Sequence, residues 1–131
     1  YGDGLQVRDV LHVHDLVDAM VKVREQSETT AGQVFNVGGG PQHAFSVMEM
    51  LQAIEEVTGK SIRLDHRDVR PGDQPLYISD TSKLERLTGW RPRRDISTVL
   101  GDIREFWRQG QAREESPQLV GARNTALGEV A

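Results

Sequence analysis

The chain has 131 residues, of which 37% are hydrophobic and 27% charged, and this apolar content is enough for one modest core. It contains no cysteine, which excludes disulfides and thiolate metal sites and fits a cytoplasmic setting. Its net charge of -4 disfavours nucleic acid as a partner, and no apolar run approaches the ~20 residues of a membrane span, so we expect no membrane partner.

The amino-terminal third predicts a strand, a helix and a second strand. Polar and apolar residues alternate over residues 7–13, which is typical of a short strand. A helix with a largely apolar stripe is predicted to start near Asp15, whose carboxylate can cap free N–H groups. A polar loop over residues 25–32 leads to a compact apolar strand at residues 34–37, which ends in the glycines at 38–40.

The next helix has the clearest sequence signals. Ser46 and Glu49 have the spacing of a capping box, and Phe45 with Met50 can form a hydrophobic staple. Apolar residues then follow at helical intervals, and Gly59 lies where a left-handed residue is expected to end the helix.

The pattern continues with strands and a short helix. Residues 62–64 and 77–79 are predicted to be extended, and the loop over residues 69–75 is stiffened by two prolines. Asp80 is expected to cap a short helix that ends at Gly89. The elements together predict an α/β fold of short strands and amphipathic helices.

A last helix is expected to start near Asp95 or Ser97 and to bury one apolar face. After Gly110 the hydrophobic period disappears, so we expect one domain over residues 1–110 and a disordered tail over residues 111–131. The predicted buried face of this helix consists of Ile96, Val99, Leu100, Ile103, Phe106 and Trp107.

Known catalytic motifs are absent from the sequence. There is no G-x-G-x-x-G loop, P-loop or G-x-S-x-G elbow. Tyr1 and Tyr77 are followed at the fourth place by Leu5 and Thr81, so no Tyr-x-x-x-Lys occurs. The glycines at 38–40 favour a tight turn at the end of a strand, with an anion site as the alternative.

His12 and His14 raise the question of a metal site. On a strand, side chains two residues apart share a face, so the two imidazoles can converge. The sequence places no third ligand near them, and we therefore predict no metal site.

Two segments contain arginines in unusual settings. Arg8 directly precedes Asp9 at the start of the first strand, either as an ion pair that holds the strand or as a group that faces an anion. Arg70 lies in the proline-stiffened loop, where a guanidinium loses little entropy on binding phosphate. Asp73 can accept from a ribose hydroxyl, and Tyr77 can stack or form a hydrogen bond.

Four motifs in this order resemble the extended short-chain dehydrogenases/reductases, the NAD-dependent epimerase/dehydratase family that acts on nucleotide sugars. The matching segments are RDVLHVHD at residues 8–15, VFNVG at 34–38, RPGD at 70–73 and GWRP at 89–92. The resemblance implies that the chain is the carboxy-terminal, substrate-binding portion of a Rossmann-type enzyme. Because the chain begins at Tyr1 rather than Met, we expect a segment upstream of it.

The resemblance also implies roles for individual residues. Arg8 and Arg70 match the arginines that bind the diphosphate of the nucleotide sugar, Asp73 matches a ribose contact, and Tyr77 lies at the same site. The glycine-rich NAD loop and the catalytic tyrosine and lysine of the family lie upstream of the matching region. We therefore expect no catalytic and no cofactor-binding residue in this chain, with NAD bound by the upstream Rossmann portion.

Three segments together are most similar to the CDP-paratose (CDP-tyvelose) 2-epimerase branch of the family: VRDVLH at residues 7–12, GDQ at 72–74 and ISD at 78–80. UDP-glucose 4-epimerases usually have an aromatic residue where Val10 lies. A CDP-sugar is therefore the favoured ligand, and a homodimer is a possible assembly. Two alternatives stay open: a fragment of a UDP-glucose 4-epimerase or nucleotide-sugar 4,6-dehydratase, and a nucleotide-sugar-binding module without catalysis.

Overall fold

The computed structural model describes residues 2–114 of the chain, with side chains as far as Gln111. It contains three short strands, five α-helices and one 3-10 turn at Pro41–His43. The strands are β1 (Val7–Asp9), β2 (Ala44–Ser46) and β3 (Leu76–Tyr77). The helices are α1 (Val13–Glu25), α2 (Ser27–Thr30), α3 (Val47–Thr58), α4 (Ser82–Thr88) and α5 (Ile96–Glu114).

The three strands form one mixed sheet in the order β2-β1-β3. β1 pairs antiparallel with β2 and parallel with β3, so the parallel pair is joined by a long crossover that contains the first three helices. Helices packed on short strands confirm the predicted α/β class.

The first strand is shorter than the predicted 7–13. β1 ends at Asp9 because α1 begins at Val13, where the Nδ1 atom of His12 accepts the His14 backbone N–H at 3.0 Å. His12 is therefore the N-cap, and the prediction that Asp15 caps this helix is wrong.

The predicted strands at residues 34–37 and 62–64 are not strands within residues 2–114. A strand needs a neighbour for its backbone N–H and C=O groups. The Val34 carbonyl accepts the Lys83 ammonium at 2.9 Å, and Val34 is 82% exposed. The Ile62 N–H donates to a Glu55 carboxylate oxygen at 2.6 Å, so a side chain replaces the strand partner.

The predicted ends of α3 are confirmed. The Ser46 hydroxyl accepts the Glu49 N–H at 3.2 Å, and the Glu49 carboxylate accepts the Ser46 N–H at 2.7 Å. Gly59 ends the helix with a φ of 67°, a left-handed conformation in which a side chain is strained.

The core lies between α1, α4 and the turn that follows α4. Ala19, Leu84 and Trp90 are buried there. The Trp90 indole N–H donates to the Asp15 carbonyl oxygen at 3.0 Å. The Asp15 side chain is 1% exposed and accepts the backbone N–H groups of Arg93 and Arg94 and the Arg94 guanidinium. Leu11, Val23 and Phe35 pack against this core.

The predicted buried face of α5 holds in part for Ile96, Val99 and Leu100 and is wrong for the three later apolar residues. Val99 is buried, but Ile103, Phe106 and Trp107 are 57%, 78% and 64% exposed, and an open cavity separates Ile103 and Trp107 from α3. The helix continues four residues past Gly110 to Glu114, and the rest of the predicted tail lies outside the described residues. Within residues 2–114, no helix combines the length and the apolar character that crossing a membrane requires.

Candidate functional site

Arg8 lies at the centre of the sheet between two aromatic residues. In the strand register its Cα is opposite Phe45 on β2 and opposite Tyr77 on β3. Residues directly opposite one another on neighbouring strands project from the same face of the sheet. Phe45, Arg8 and Tyr77 therefore form a row across one face, which we call the Arg8 row.

The guanidinium of Arg8 contacts Asp73 in the loop before β3. One terminal nitrogen donates to the Val7 carbonyl at 2.7 Å, and the other lies 3.2 Å from an Asp73 carboxylate oxygen. The Arg8 and Asp73 side chains are 42% and 29% exposed, so a ligand can reach both. The ion-pair partner of Arg8 is thus Asp73. The Arg8–Asp9 ion pair, one of the two alternatives from the sequence, does not form.

Arg70 lies on the same loop, one turn before Asp73. The Asp73 N–H donates to the Arg70 carbonyl at 3.1 Å, and Gly72 lies within this turn with a φ of 79°. Arg70 is exposed. The structure therefore brings Arg8 into contact with Asp73 and places Tyr77 opposite Arg8 on the sheet. Arg70 lies at the turn that presents Asp73.

Asp9 points away from the Arg8 row, because successive residues of a strand face opposite sides of the sheet. Its carboxylate accepts the Gly40 N–H at 2.9 Å and the Ser79 N–H at 3.2 Å. Burial alone would raise the pKa of Asp9, but these N–H donors and the Ser79 hydroxyl outweigh burial and hold its pKa below the ordinary aspartate value.

The glycines at 38–40 form a buried turn packed on β1. A Cβ on Gly38 would lie 2.2 Å from the Ser79 hydroxyl oxygen, and one on Gly39 would lie 2.0 Å from the Val10 carbonyl. The Gly40 N–H is already donated to Asp9. These contacts support the tight turn rather than the anion site, because the turn is filled by the chain itself.

A small apolar cavity of about 170 Å³ adjoins Arg8 between the sheet and α3. It includes Phe45, Met50 and Val10 in its lining. Sequence reasoning missed Phe45 as a neighbour of Arg8, because a strand register that joins residues 8 and 45 leaves no local signal. A larger cavity of about 530 Å³ lies between α3 and α5 and shares no lining residue with the cavity at Arg8.

His12, His14 and Asp102 place their potential ligand atoms within 4.8 Å of one another, so an acidic group does lie near the histidines. The hydrogen bonds explain this cluster without a metal. Because His12 Nδ1 accepts a backbone N–H, its Nε2 must carry the proton that it shares with Asp102 at 3.0 Å. A metal at Nε2 would have to displace that proton and the helix cap, so the absence of a metal site stays our prediction.

Comparison with known proteins relates residues 1–103 to the family model described as GDP-mannose 4,6 dehydratase. The chain is 37% identical over 101 residues to a UDP-glucose 4-epimerase of Bacillus subtilis (strain 168), covering 76% of this chain and 29% of that protein. It is 29% identical over 92 residues to a CDP-paratose 2-epimerase of Salmonella typhi, covering 70% of this chain and 27% of that protein.

Solved structures show the same likeness. A UDP-glucose-4-epimerase from Stenotrophomonas maltophila, crystallised with bound NAD and formylated UDP-arabinopyranose, matches with a TM-score of 0.74 and 30% identity. The match covers 87% of this chain and 33% of that one. The chain thus spans about a third of the length of the relatives it matches.

Proposed function

The chain belongs to the GDP-mannose 4,6-dehydratase family of extended short-chain dehydrogenases/reductases, and from this we propose that it is the substrate-binding portion of an NAD-dependent nucleotide-sugar epimerase. The observation that carries the proposal is the Arg8 row with its contact to Asp73. It joins a guanidinium, a carboxylate and a phenol on one accessible face.

The chemistry of these groups suits a nucleoside diphosphate. A guanidinium offers a planar set of N–H donors that matches phosphate oxygens. Arg8 lies on the sheet and Arg70 on the adjacent loop, so both can meet one diphosphate. Asp73 then accepts from a ribose hydroxyl, and Tyr77, which is 51% exposed, supplies a ring or a hydroxyl beside it.

NAD is the cofactor that this family membership implies, and the described residues do not fit it. The glycine turn at residues 38–40 packs on Asp9, Ser79 and the Val10 backbone, and its Gly40 N–H is already donated to Asp9. We therefore place NAD on the upstream Rossmann portion and assign no redox step to this chain. Binding and orientation of the sugar nucleotide are its contribution to the rate.

We propose a UDP-sugar 4-epimerase as the first candidate, because the Bacillus subtilis relative is more similar to the chain than the CDP-paratose 2-epimerase is. CDP-paratose 2-epimerase is the second candidate. It is favoured by Val10, which lines the cavity beside Arg8 where UDP-glucose 4-epimerases usually have an aromatic residue.

A ligand panel tests the proposal. We expect calorimetry on the protein at its natural length to detect binding of UDP-glucose, with CDP-, GDP- and dTDP-linked sugars as competitors for the same site. Tightest binding of a CDP-sugar would select the second candidate. Binding without any turnover in the presence of NAD would instead select a non-catalytic binding module, and no binding of any of the four would overturn the proposal.

The upstream Rossmann portion is also our proposed partner for the apolar surface of α1. Val13, Val17 and Met20 on this helix are 63%, 49% and 60% exposed, and Val34 in the nearby extended segment is 82% exposed. A sheet that took residues 34–37 as an added strand would supply their missing backbone partners and cover the helix. A second copy of the chain is the alternative occupant, and the assembly state would distinguish the two.

A further inference from the structure

Asp9 joins three segments that are distant in the chain. Its carboxylate oxygen Oδ2 accepts N–H groups from Gly40, in the turn before β2, and from Ser79, just after β3. Asp9 itself is the last residue of β1. One oxygen atom therefore ties the end of the central strand to both neighbouring segments.

The residues that surround the Asp9 carboxylate are closely packed. Ser79 is 7% exposed, and the turn at Gly38 and Gly39 is packed so closely that a Cβ on either residue would overlap its neighbours. The next residue, Val10, donates its N–H to the His43 carbonyl at 2.9 Å, at the end of the 3-10 turn that follows the glycines. A shift of Ser79 relative to Asp9 would have to break hydrogen bonds in a buried site.

The junction lies next to the Arg8 row in the chain. Asp9 follows Arg8 directly, and Ser79 comes two residues after Tyr77. The strands β1 and β3 pair over only two positions, so few ladder hydrogen bonds maintain their register. The hydrogen bond from the Ser79 N–H to Asp9 therefore adds a side-chain link between the end of β1 and the segment after Tyr77.

We propose that Asp9 is a positioning residue for nucleotide-sugar binding, which fixes Arg8, Tyr77 and the Asp73 loop in one arrangement without touching the ligand. This inference rests on the proposed function of the Arg8 row. Asp9 acts through the backbone, because its side chain projects from the opposite face of the sheet. Its effect on binding must therefore pass through Arg8 and Tyr77.

A double-mutant cycle on the protein at its natural length tests this, with UDP as the calorimetric probe. We expect Asp9→Ala to weaken UDP binding about tenfold and Asp9→Asn, which keeps a carbonyl acceptor, about threefold. In an Arg8→Ala background the same Asp9→Ala change should cost less than about twofold, because the group that it positions is gone. Asp65→Ala is the matched control, since it removes the same charge from an exposed side chain that contacts only Arg67 among the described residues.

Each outcome decides between the two claims. No UDP binding by the unaltered protein would overturn the proposed function and this inference with it. UDP binding that depends on Arg8 but not on Asp9, or a full tenfold loss that persists in the Arg8→Ala background, would overturn the positioning role alone. If Asp9→Ala does not fold, Asp9→Asn decides by the same cycle, and wild-type affinity in that variant would overturn the inference.

Discussion

The guanidinium of Arg8 and the carboxylate of Asp73 meet at 3.2 Å across 65 residues of chain. The contact joins the central strand to the loop that also contains Arg70. Because both side chains are partly exposed, we propose that a diphosphate replaces Asp73 at Arg8 and frees the carboxylate for a hydroxyl of the ligand. Without a ligand, this partly exposed ion pair contributes little to stability, so a ligand can break it at low cost.

Removal of either arginine should weaken nucleotide-sugar binding. We expect Arg8→Ala and Arg70→Ala each to cost about 1.5–3 kcal/mol of UDP-glucose binding free energy, the range for hydrogen bonds to charged groups. Calorimetric titration measures the loss. Arg67→Ala is the control, because Arg67 lies on the same loop and its guanidinium contacts Asp65 at 3.0 Å. Unchanged affinity in both site variants would contradict the proposal that Arg8 and Arg70 bind the diphosphate.

Truncation of Asp15 should destabilise the fold. Asp15→Ala leaves the Arg93 and Arg94 N–H groups and the Arg94 guanidinium without their acceptor, so we expect a loss of about 3 kcal/mol in the free energy of unfolding. Urea denaturation followed by circular dichroism measures it. Asp18→Ala removes an exposed contact to the same arginine and should change stability by no more than about 0.5 kcal/mol. Equal effects of the two changes would contradict the role of burial.

Asp9 and Asp15 should make the fold sensitive to acid. Burial alone would raise the pKa of each, but hydrogen bonds outweigh it and lower both pKa values below the reference of 3.8. Their stabilising contribution is therefore complete above that reference and is lost as the pH falls through the lowered folded values. These two groups should leave the urea midpoint unchanged between about pH 6 and about pH 4. Below about pH 4 the urea midpoint should decrease as the pH falls.

The variant Asp15→Asn serves as the control for this pH dependence. Because it removes one of the two carboxylates, its stability should be lower at neutral pH and should decline less steeply in acid. A decline as steep as that of the unaltered chain would show that other groups dominate the acid transition.

Local signals in the sequence predicted the helices better than the sheet. The capping box of Ser46 and Glu49 was predictable because both residues lie within one helical turn. The Asp15 contacts were not, because Arg93 and Arg94 lie 78 and 79 residues away and only the folded core brings them close. Aspartate is a residue type that often caps helices, but the N-cap of α1 is His12, and Asp15 is buried in the first turn.

The candidate site was predicted from family motifs and only partly from chemistry. Arg8 contacts Asp73 and its Cα lies opposite Tyr77, but that register depends on the long crossover between Asp9 and Leu76, which no local pattern in the sequence predicts. The strand prediction at residues 34–37 failed for the described residues because apolar β-branched residues indicate an extended chain and not the partner that pairs with it.

The exposed apolar surface should make the 131-residue chain self-associate. Val17 on α1 and Phe106 on α5 are 49% and 78% exposed, and large apolar side chains on the surface favour association. We expect sedimentation to show oligomers and thermal unfolding to be broad. Val17→Glu and Phe106→Glu should each shift the population towards monomer, whereas Glu28→Ala at an exposed polar position should not. A sharp unfolding transition from a monomer would contradict this expectation.

The two tryptophans of the chain occupy opposite environments. Trp90 is 5% exposed and donates its indole N–H to Asp15, whereas Trp107 is 64% exposed on α5. Fluorescence from Trp90 should therefore lie at short wavelength and move to the red when the core opens. Fluorescence from Trp107 starts at long wavelength and should move to the blue when another surface covers α5. Replacing either tryptophan by phenylalanine would isolate the fluorescence emission of the other. Trp90 would then report on folding and Trp107 on docking.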